Sequence, residues 1–182
     1  MKKTLPIISQ KLIYEGLVVR LEKIKLRAPD GSRITRELIR HHGSAVIVPL
    51  LDRDHFVLVY QYRVACNGYM LEFPAGTKER NESPLACAKR EIVEEINYRA
   101  NKWVKLGKFY PAPGVSTELM HMYLATNLKP QAGQMDDDEW LETRVLTRRE
   151  LRHKIDKGEI VDAKTVIGFF LLLEHEKSAR GC

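Results

Sequence analysis

The chain lacks the features that would commit it to a membrane, an oxidising compartment or a nucleic acid. No run approaches the roughly 18 apolar residues of a transmembrane helix. The opening MKKTLPIISQKL carries two lysines, but its apolar stretch is too short and broken for a signal peptide. There are three cysteines, Cys66, Cys87 and Cys182, at neither metal nor redox spacing. An odd count without a secretion signal points to the reducing cytoplasm. The six histidines form no ligand spacing, and His41, His42 and His121 read as structural or exposed. Linkers and low-complexity tracts are missing too. The net charge of +6 is scattered and shows no aromatic–basic interleaving, so direct nucleic-acid binding is not expected. A small anionic substrate would profit from the same field.

What is present is an ordinary globular composition, 44% hydrophobic and 30% charged, in a length that suits one domain with a full core. The pattern is α/β. Gly16–Leu26 and Ser32–Ile39 alternate apolar and polar residues around the turn Pro29-Asp30-Gly31, which predicts a hairpin. Ala45–Leu51 and Phe56–Tyr62 read as buried strands around a turn at Asp52–Asp54. Trp103–Tyr110, Leu119–Ala125 and Trp140–Leu146 read as further strands, and Arg148–Lys157 and Ala163–Glu174 as helices. The last helix is so apolar that it is expected to pack on the sheet or on a partner subunit.

The most informative segment is Gly76–Tyr98, GTKERNESPLACAKREIVEEINY. Ser83 followed by Pro84 is a helix start, with a capping hydroxyl before a residue suited to the first helical position. Leu85, Ala88, Ile92 and Ile96 recur at helical spacing and mark the buried face. Glu91, Glu94 and Glu95 fall at i, i+3 and i+4, which clusters three carboxylates on one side. Such a cluster is either a solvated acidic face or a seat for a hard divalent cation, Mg²⁺ or Mn²⁺.

Gly76, Glu82, Arg90, Glu91, Ile92, Glu94 and Glu95 match the Nudix box in type and spacing, and the segment resembles that motif closely. Asn97 stands where the family has glycine, and Tyr98 where it has an aliphatic residue. Asn is the usual second choice for a left-handed helix cap, and neither departure touches a metal ligand. Outside the box, Gln61-Tyr62-Arg63, Leu71–Gly76, Tyr110–Glu118 and Gly158–Thr165 resemble the ADP-ribose and nucleoside-diphosphate-sugar pyrophosphatase branch.

That resemblance implies an α/β/α sandwich with a mixed sheet and a small N-terminal antiparallel β-domain. It divides the chain into residues 1–43, exchanged between the subunits of a homodimer, and a hydrolase domain over 44–182. Glu91 and Glu95 become the principal metal ligands, Glu94 a ligand or orienter, and the Ala75 carbonyl a further ligand. The catalytic constellation is Glu139, Glu94 and Arg90. Arg90 holds the helix to the preceding loop through Glu82 or Glu94. Glu139 is the base or an added ligand, with Asp137 and Asp138 as alternatives in the same acidic loop. Arg63 is either a diphosphate contact or a salt bridge at a strand end. Glu72 would meet sugar hydroxyls, join the metal shell, or lie on a surface loop. Arg36 would reach a partner's site or stay solvated on its strand. Phe109 and Tyr110 would stack on a base or pack in the core. The expected activity is metal-dependent hydrolysis of the diphosphate of ADP-ribose or a related ADP-sugar to AMP and a sugar phosphate. The rivals are a GDP-mannose or other nucleotide-sugar pyrophosphatase, a dinucleotide-cap or oxidised-nucleotide hydrolase, and a silent domain that binds nucleotide or RNA.

Overall fold

The computed structural model describes residues 4–17, 19–133 and 141–181. The chain forms two compact units, one of Met1–Gly43 with Tyr110–Leu119, the other of Ser44–Phe109 with Met120–Cys182.

The first unit is an antiparallel sheet of three strands in sequence order, β1 (Ile7–Glu15), β2 (Arg20–Arg27) and β3 (Arg33–Arg40). The expected hairpin is β2–β3. Its turn is held by Asp30, whose Oδ1 accepts from Ser32 N at 2.9 Å and Ser32 Oγ at 2.7 Å, with Gly31 at φ +85°. β2 starts at Arg20 rather than Gly16, because Gly16 N donates to Val19 O and closes a turn there. β1 was not expected. All nine of its residues are exposed, so it has no buried face to impose a clean alternation. Glu22 is buried on β2 and accepts from Arg40 Nε at 2.6 Å, Gln10 Nε2 at 2.7 Å and Arg20 Nε at 3.2 Å. The segment 110–119 joins this unit through His41 N, which donates to Thr117 Oγ1 at 2.9 Å, and through a parallel bridge between Ile39 and Ser116.

The second unit carries β4 (Ser44–Pro49), β5 (His55–Arg63), β6 (Gly68–Glu72), β7 (Ala75–Thr77), α1 (Pro84–Ile96), β8 (Tyr98–Phe109), β9 (Met120–Pro130), β10 (Leu141–Thr147), α2 (Arg148–Asp156) and α3 (Ala163–Arg180). One sheet runs β7-β4-β9-β8 and is mixed, since β4 and β9 are parallel while the other pairs are antiparallel. A second sheet runs β10-β5-β6, antiparallel throughout.

β4 is buried along its whole length, and its apolar run from Ala45 to Pro49 is that of a central strand covered on both sides. Ala45 and Ile47 pack with Cys87, Ala88, Ile92 and Ile96 of α1. Val46 and Val48 point the other way, to Phe169 and Leu172 of α3 and Leu151 of α2. The layers are therefore helix, sheet, helix. Each buried Ile or Phe stabilises this arrangement by about 1.5–3 kcal/mol. α3 uses its apolar stripe on the sheet, and no helix among the described residues is long and apolar enough to cross a membrane. β8 begins at Tyr98, five residues before the expected Trp103, because its first turn of sequence is polar and half-exposed at the sheet edge. β6 and β7, short and flanked by Gly and Pro, left no period-2 signal of their own.

Candidate active site

α1 is fixed at both ends by its own sequence. Ser83 Oγ accepts from Ala86 N at 3.1 Å, and Pro84 occupies the first turn. Asn97 caps the far end in the left-handed region, at φ +58° and ψ +37°. Its side chain adds what glycine could not supply, since Asn97 Oδ1 accepts from Gly133 N at 2.9 Å.

Between these caps, one turn apart, Glu91 and Glu95 are only 8% and 4% exposed. Both face β7. Glu95 Oε2 accepts from Ala75 N at 2.9 Å. Glu91 lies against Gly76 so closely that a Cβ there would stand 1.7 Å from Glu91 Oε1. The glycine is therefore a requirement of close approach. Glu94 turns outward to Arg90, with Nη1 to Oε2 at 2.7 Å. Arg90 also reaches Glu82 at 3.2 Å, Glu91 at 2.7 Å and the Thr77 carbonyl at 3.3 Å. It thus pins the 77–82 loop to the helix through Glu82 and the Thr77 carbonyl, while its pair with Glu94 lies within the helix. Burial works against its charge, but Glu82, Glu91 and Glu94 outweigh burial and raise the guanidinium above its ordinary value. Cys87 is fully buried, and burial pushes its thiol up to about 12, so it is an inert packing group.

A second charged cluster lies at the ends of β5 and β6. Arg63 and Glu72 form a two-pronged pair, Nε to Oε1 at 2.9 Å and Nη2 to Oε2 at 2.7 Å. Glu72 is 1% exposed and also takes the Lys164 ammonium. Lys164 bonds Asp162 at 3.0 Å, and Asp162 caps α3 by accepting from Thr165 N at 2.9 Å. Thr165 Oγ1 in turn accepts from Phe73 N at 2.7 Å. Burial would raise the Glu72 carboxyl, but Arg63 and Lys164 together hold it below its ordinary value. The Glu72 hydrogen bonds raise Arg63 against its partial burial, and the charges of Glu72, Glu95 and Asp162 add to them.

Glu72 is thus a buried, ion-paired carboxylate and not a residue of a surface loop. Arg63 makes the strand-end salt bridge and remains half-exposed at the same time. Arg36 lies exposed on β3, its Nη1 donating to the Thr35 carbonyl at 2.9 Å. Phe109 packs at the margin of the core and Tyr110 is exposed. Glu139, with Asp136, Asp137 and Asp138, lies outside the described residues. Lys164 and Asp162 lie in the segment Gly158–Thr165 that resembles the branch, but nothing in the sequence marks them as partners of Glu72.

Among the described residues no three of His, Cys, Asp and Glu converge into a ready-made metal cage. The donor set nonetheless suits a magnesium-type ion. Such an ion takes one or two carboxylates and leaves its other positions to water and phosphate oxygens. Glu91 and Glu95, buried side by side against the Ala75–Gly76 backbone, offer that number of hard oxygens.

Comparison with known proteins agrees with this geometry. Residues 40–166 match the NUDIX domain family. The chain is 31% identical over 160 residues to an ADP-ribose pyrophosphatase of Bacillus subtilis, covering 87% of this chain and 86% of that protein. It is 34% identical over 162 residues to a methanol dehydrogenase activator of Bacillus methanolicus, covering 88% of each. A GDP-mannose pyrophosphatase of Cronobacter sakazakii is 32% identical over 189 residues, covering 96% of each. Among solved structures, an ADP compounds hydrolase superposes with a TM-score of 0.87 at 25% identity, over 97% of this chain and 96% of that one. The matched span includes the glycine, the capped helix and its paired buried glutamates, and the chain belongs to the Nudix family.

Proposed function

We propose that this chain hydrolyses the diphosphate of ADP-ribose or a related ADP-sugar, giving AMP and a sugar phosphate. The observation that carries the reading is the Glu91–Glu95 pair, buried one turn apart against Ala75 and Gly76. Two carboxylates held there side by side and largely out of water suit a hard divalent cation. The names of the Bacillus subtilis relative and of the superposed structure support the substrate class.

In this reading Glu91, Glu95 and the Ala75 carbonyl hold Mg²⁺ or Mn²⁺, and Glu94 orients the pair through Arg90. The ion, when bound, neutralises phosphate charge and favours deprotonation of water. Arg63, kept charged by Glu72, faces the diphosphate with its exposed edge. Water forms a bond to one phosphorus while the bridging P–O bond breaks. Glu139 accepts the proton of that water, and the leaving phosphate departs as the sugar phosphate or AMP.

Residues 1–43 are read as a β-domain exchanged within a homodimer, with Arg36 contributed to the partner's site. The apolar exterior of β1 supports this, since Ile7, Ile8, Leu12, Ile13 and Tyr14 are all exposed.

Turnover of ADP-ribose, ADP-glucose, GDP-mannose and a dinucleotide cofactor, with and without Mg²⁺, tests the reading. Magnesium-dependent release of AMP from ADP-ribose ahead of the others is expected. Preference for GDP-mannose, the substrate in the name of the Cronobacter relative, would keep the mechanism and replace the substrate. No cleavage by folded, metal-loaded protein would leave a nucleotide-binding module.

A further inference from the structure

Gln61 is a buried polar side chain that the site described so far does not use. It is 7% exposed, and among the described residues its Oε1 is buried with no hydrogen-bond partner. Buried amide oxygens are almost always satisfied, by protein or by ordered water. Leaving one unpaired costs about 1–3 kcal/mol, so an orphan of this kind calls for an explanation.

Its place in the sheet narrows the explanation. Side chains two apart on a strand share a face. Val59, Gln61 and Arg63 therefore share one face of β5. Opposite them in register stand Glu72, Met70 and Gly68 of β6, and Leu141 of β10 faces Gln61 from the other side. Val59 and Leu141 belong to the core built on Ile92 and Ile96, so this is the face that α1 covers. Gln61 thus stands between core Val59 and Arg63 on the face that α1 covers.

An amide oxygen accepts hydrogen bonds and repels phosphate oxygens, so a substrate diphosphate is not its partner. It needs a donor. At a hydrolytic site the donors that arrive with the reaction are water and sugar hydroxyls. The depth of Gln61, well below the half-exposed Arg63, favours the smaller of the two.

We propose that Gln61 is a positioning residue that holds an ordered water through Oε1 beside Arg63, on the α1-facing side of β5. The inference rests on the hydrolase reading above. It adds a residue from β5, outside the helix motif, that orients water for that chemistry.

The test combines a crystal structure of the Mg²⁺-loaded protein with the variants Gln61→Leu and Gln61→Met. An ordered water at about 2.7–3.0 Å from Gln61 Oε1 is expected, absent from the variants. Each variant should lower kcat about 10- to 100-fold with KM and Mn²⁺ affinity (by electron paramagnetic resonance) near wild type. Each should leave the Tm of the metal-free protein near wild type, since the amide and the water it holds are removed together. A merely structural glutamine would instead lower Tm and leave kcat alone. Wild-type kcat in either variant, a protein donor seated on Oε1, or a raised KM with kcat retained would overturn the proposal. The last result would place a sugar hydroxyl there. If Gln61→Leu fails to fold, Gln61→Met, unbranched and close in shape, decides the matter. Failure of the wild-type protein to bind Mn²⁺ or to cleave any nucleotide sugar would refute the hydrolase reading itself and is seen separately.

Discussion

Gly76 and Glu91 occupy each other's space: a methyl group on Gly76 would come within 1.7 Å of Glu91 Oε1. The obstacle is the end of a flexible side chain, not backbone. Gly76→Ala should therefore fold with little change in Tm while the Glu91 carboxylate swings away. A displacement of about 1 Å at a catalytic group costs on the order of 100-fold. Mn²⁺ titration and turnover of the purified variant should both fall while the circular dichroism melt stays near wild type. Undiminished Mn²⁺ affinity would remove Glu91 from the metal site.

Glu95→Gln separates charge from geometry. The amide oxygen it introduces could still accept from Ala75 N, which Glu95 Oε2 does at 2.9 Å, so the loop before α1 should stay in place. Only the negative charge is lost. Turnover should drop about 100-fold or more, the scale of losing electrostatic stabilisation in a catalytic site. Glu94→Gln should do less, because Glu94 faces outward to Arg90 and the substituted amide can still accept that bond. Equal losses from the two variants would put Glu94 among the ligands.

The helix and its glutamates were legible in the sequence because their signals are local. Ser83-Pro84 starts the helix, its apolar spacing sets the buried face, and Asn97 ends it, all within one short segment. The β2–β3 hairpin was legible for the same reason. β1 was not, since a strand exposed on every residue carries no period. The Arg63–Glu72–Lys164 cluster was half legible. Arg63 and Glu72 lie 9 residues apart, but Lys164 arrives from 92 residues away, and only tertiary packing brings it there. Gln61 lies in the Gln61-Tyr62-Arg63 segment that resembles the branch. Nothing in a sequence marks a glutamine as buried and unpaired.

That cluster makes a pH prediction with a definite sign. Burial alone would raise the Glu72 carboxyl, but Arg63 and Lys164 depress it. A depressed carboxylate contributes stability that is fully present above its unfolded value of about 4.3 and is lost as pH falls through the folded value. Lys164→Met removes one of the two cations and should destabilise the protein at neutral pH by about 3 kcal/mol, the low end for a buried pair because Arg63 remains. The gap between wild type and variant in urea unfolding should narrow as pH drops below the unfolded value of about 4.3. A gap that stays constant across this window would mean that Lys164 acts by packing and not by charge.

Asn97 carries two functions that substitution can pull apart. It holds a left-handed backbone at φ +58°, and its Oδ1 accepts from Gly133 N at 2.9 Å. Asn97→Gly restores the residue the family places here and keeps the backbone relaxed, so its cost is the lost side-chain bond, about 0.5–1.5 kcal/mol. Asn97→Ala loses the same bond and keeps a Cβ in the left-handed region without the short polar side chain that lets Asn sit there, adding about 1 kcal/mol. Urea unfolding should therefore rank wild type above Asn97→Gly and Asn97→Ala last. The cap sits directly after Glu95 and Ile96, so the Ala variant should also let the last turn of α1 fray. Its Mn²⁺ affinity should then fall, while that of Asn97→Gly holds. If Asn97→Gly were as stable as wild type, the bond to Gly133 would contribute nothing, and the departure from glycine would be neutral at this position.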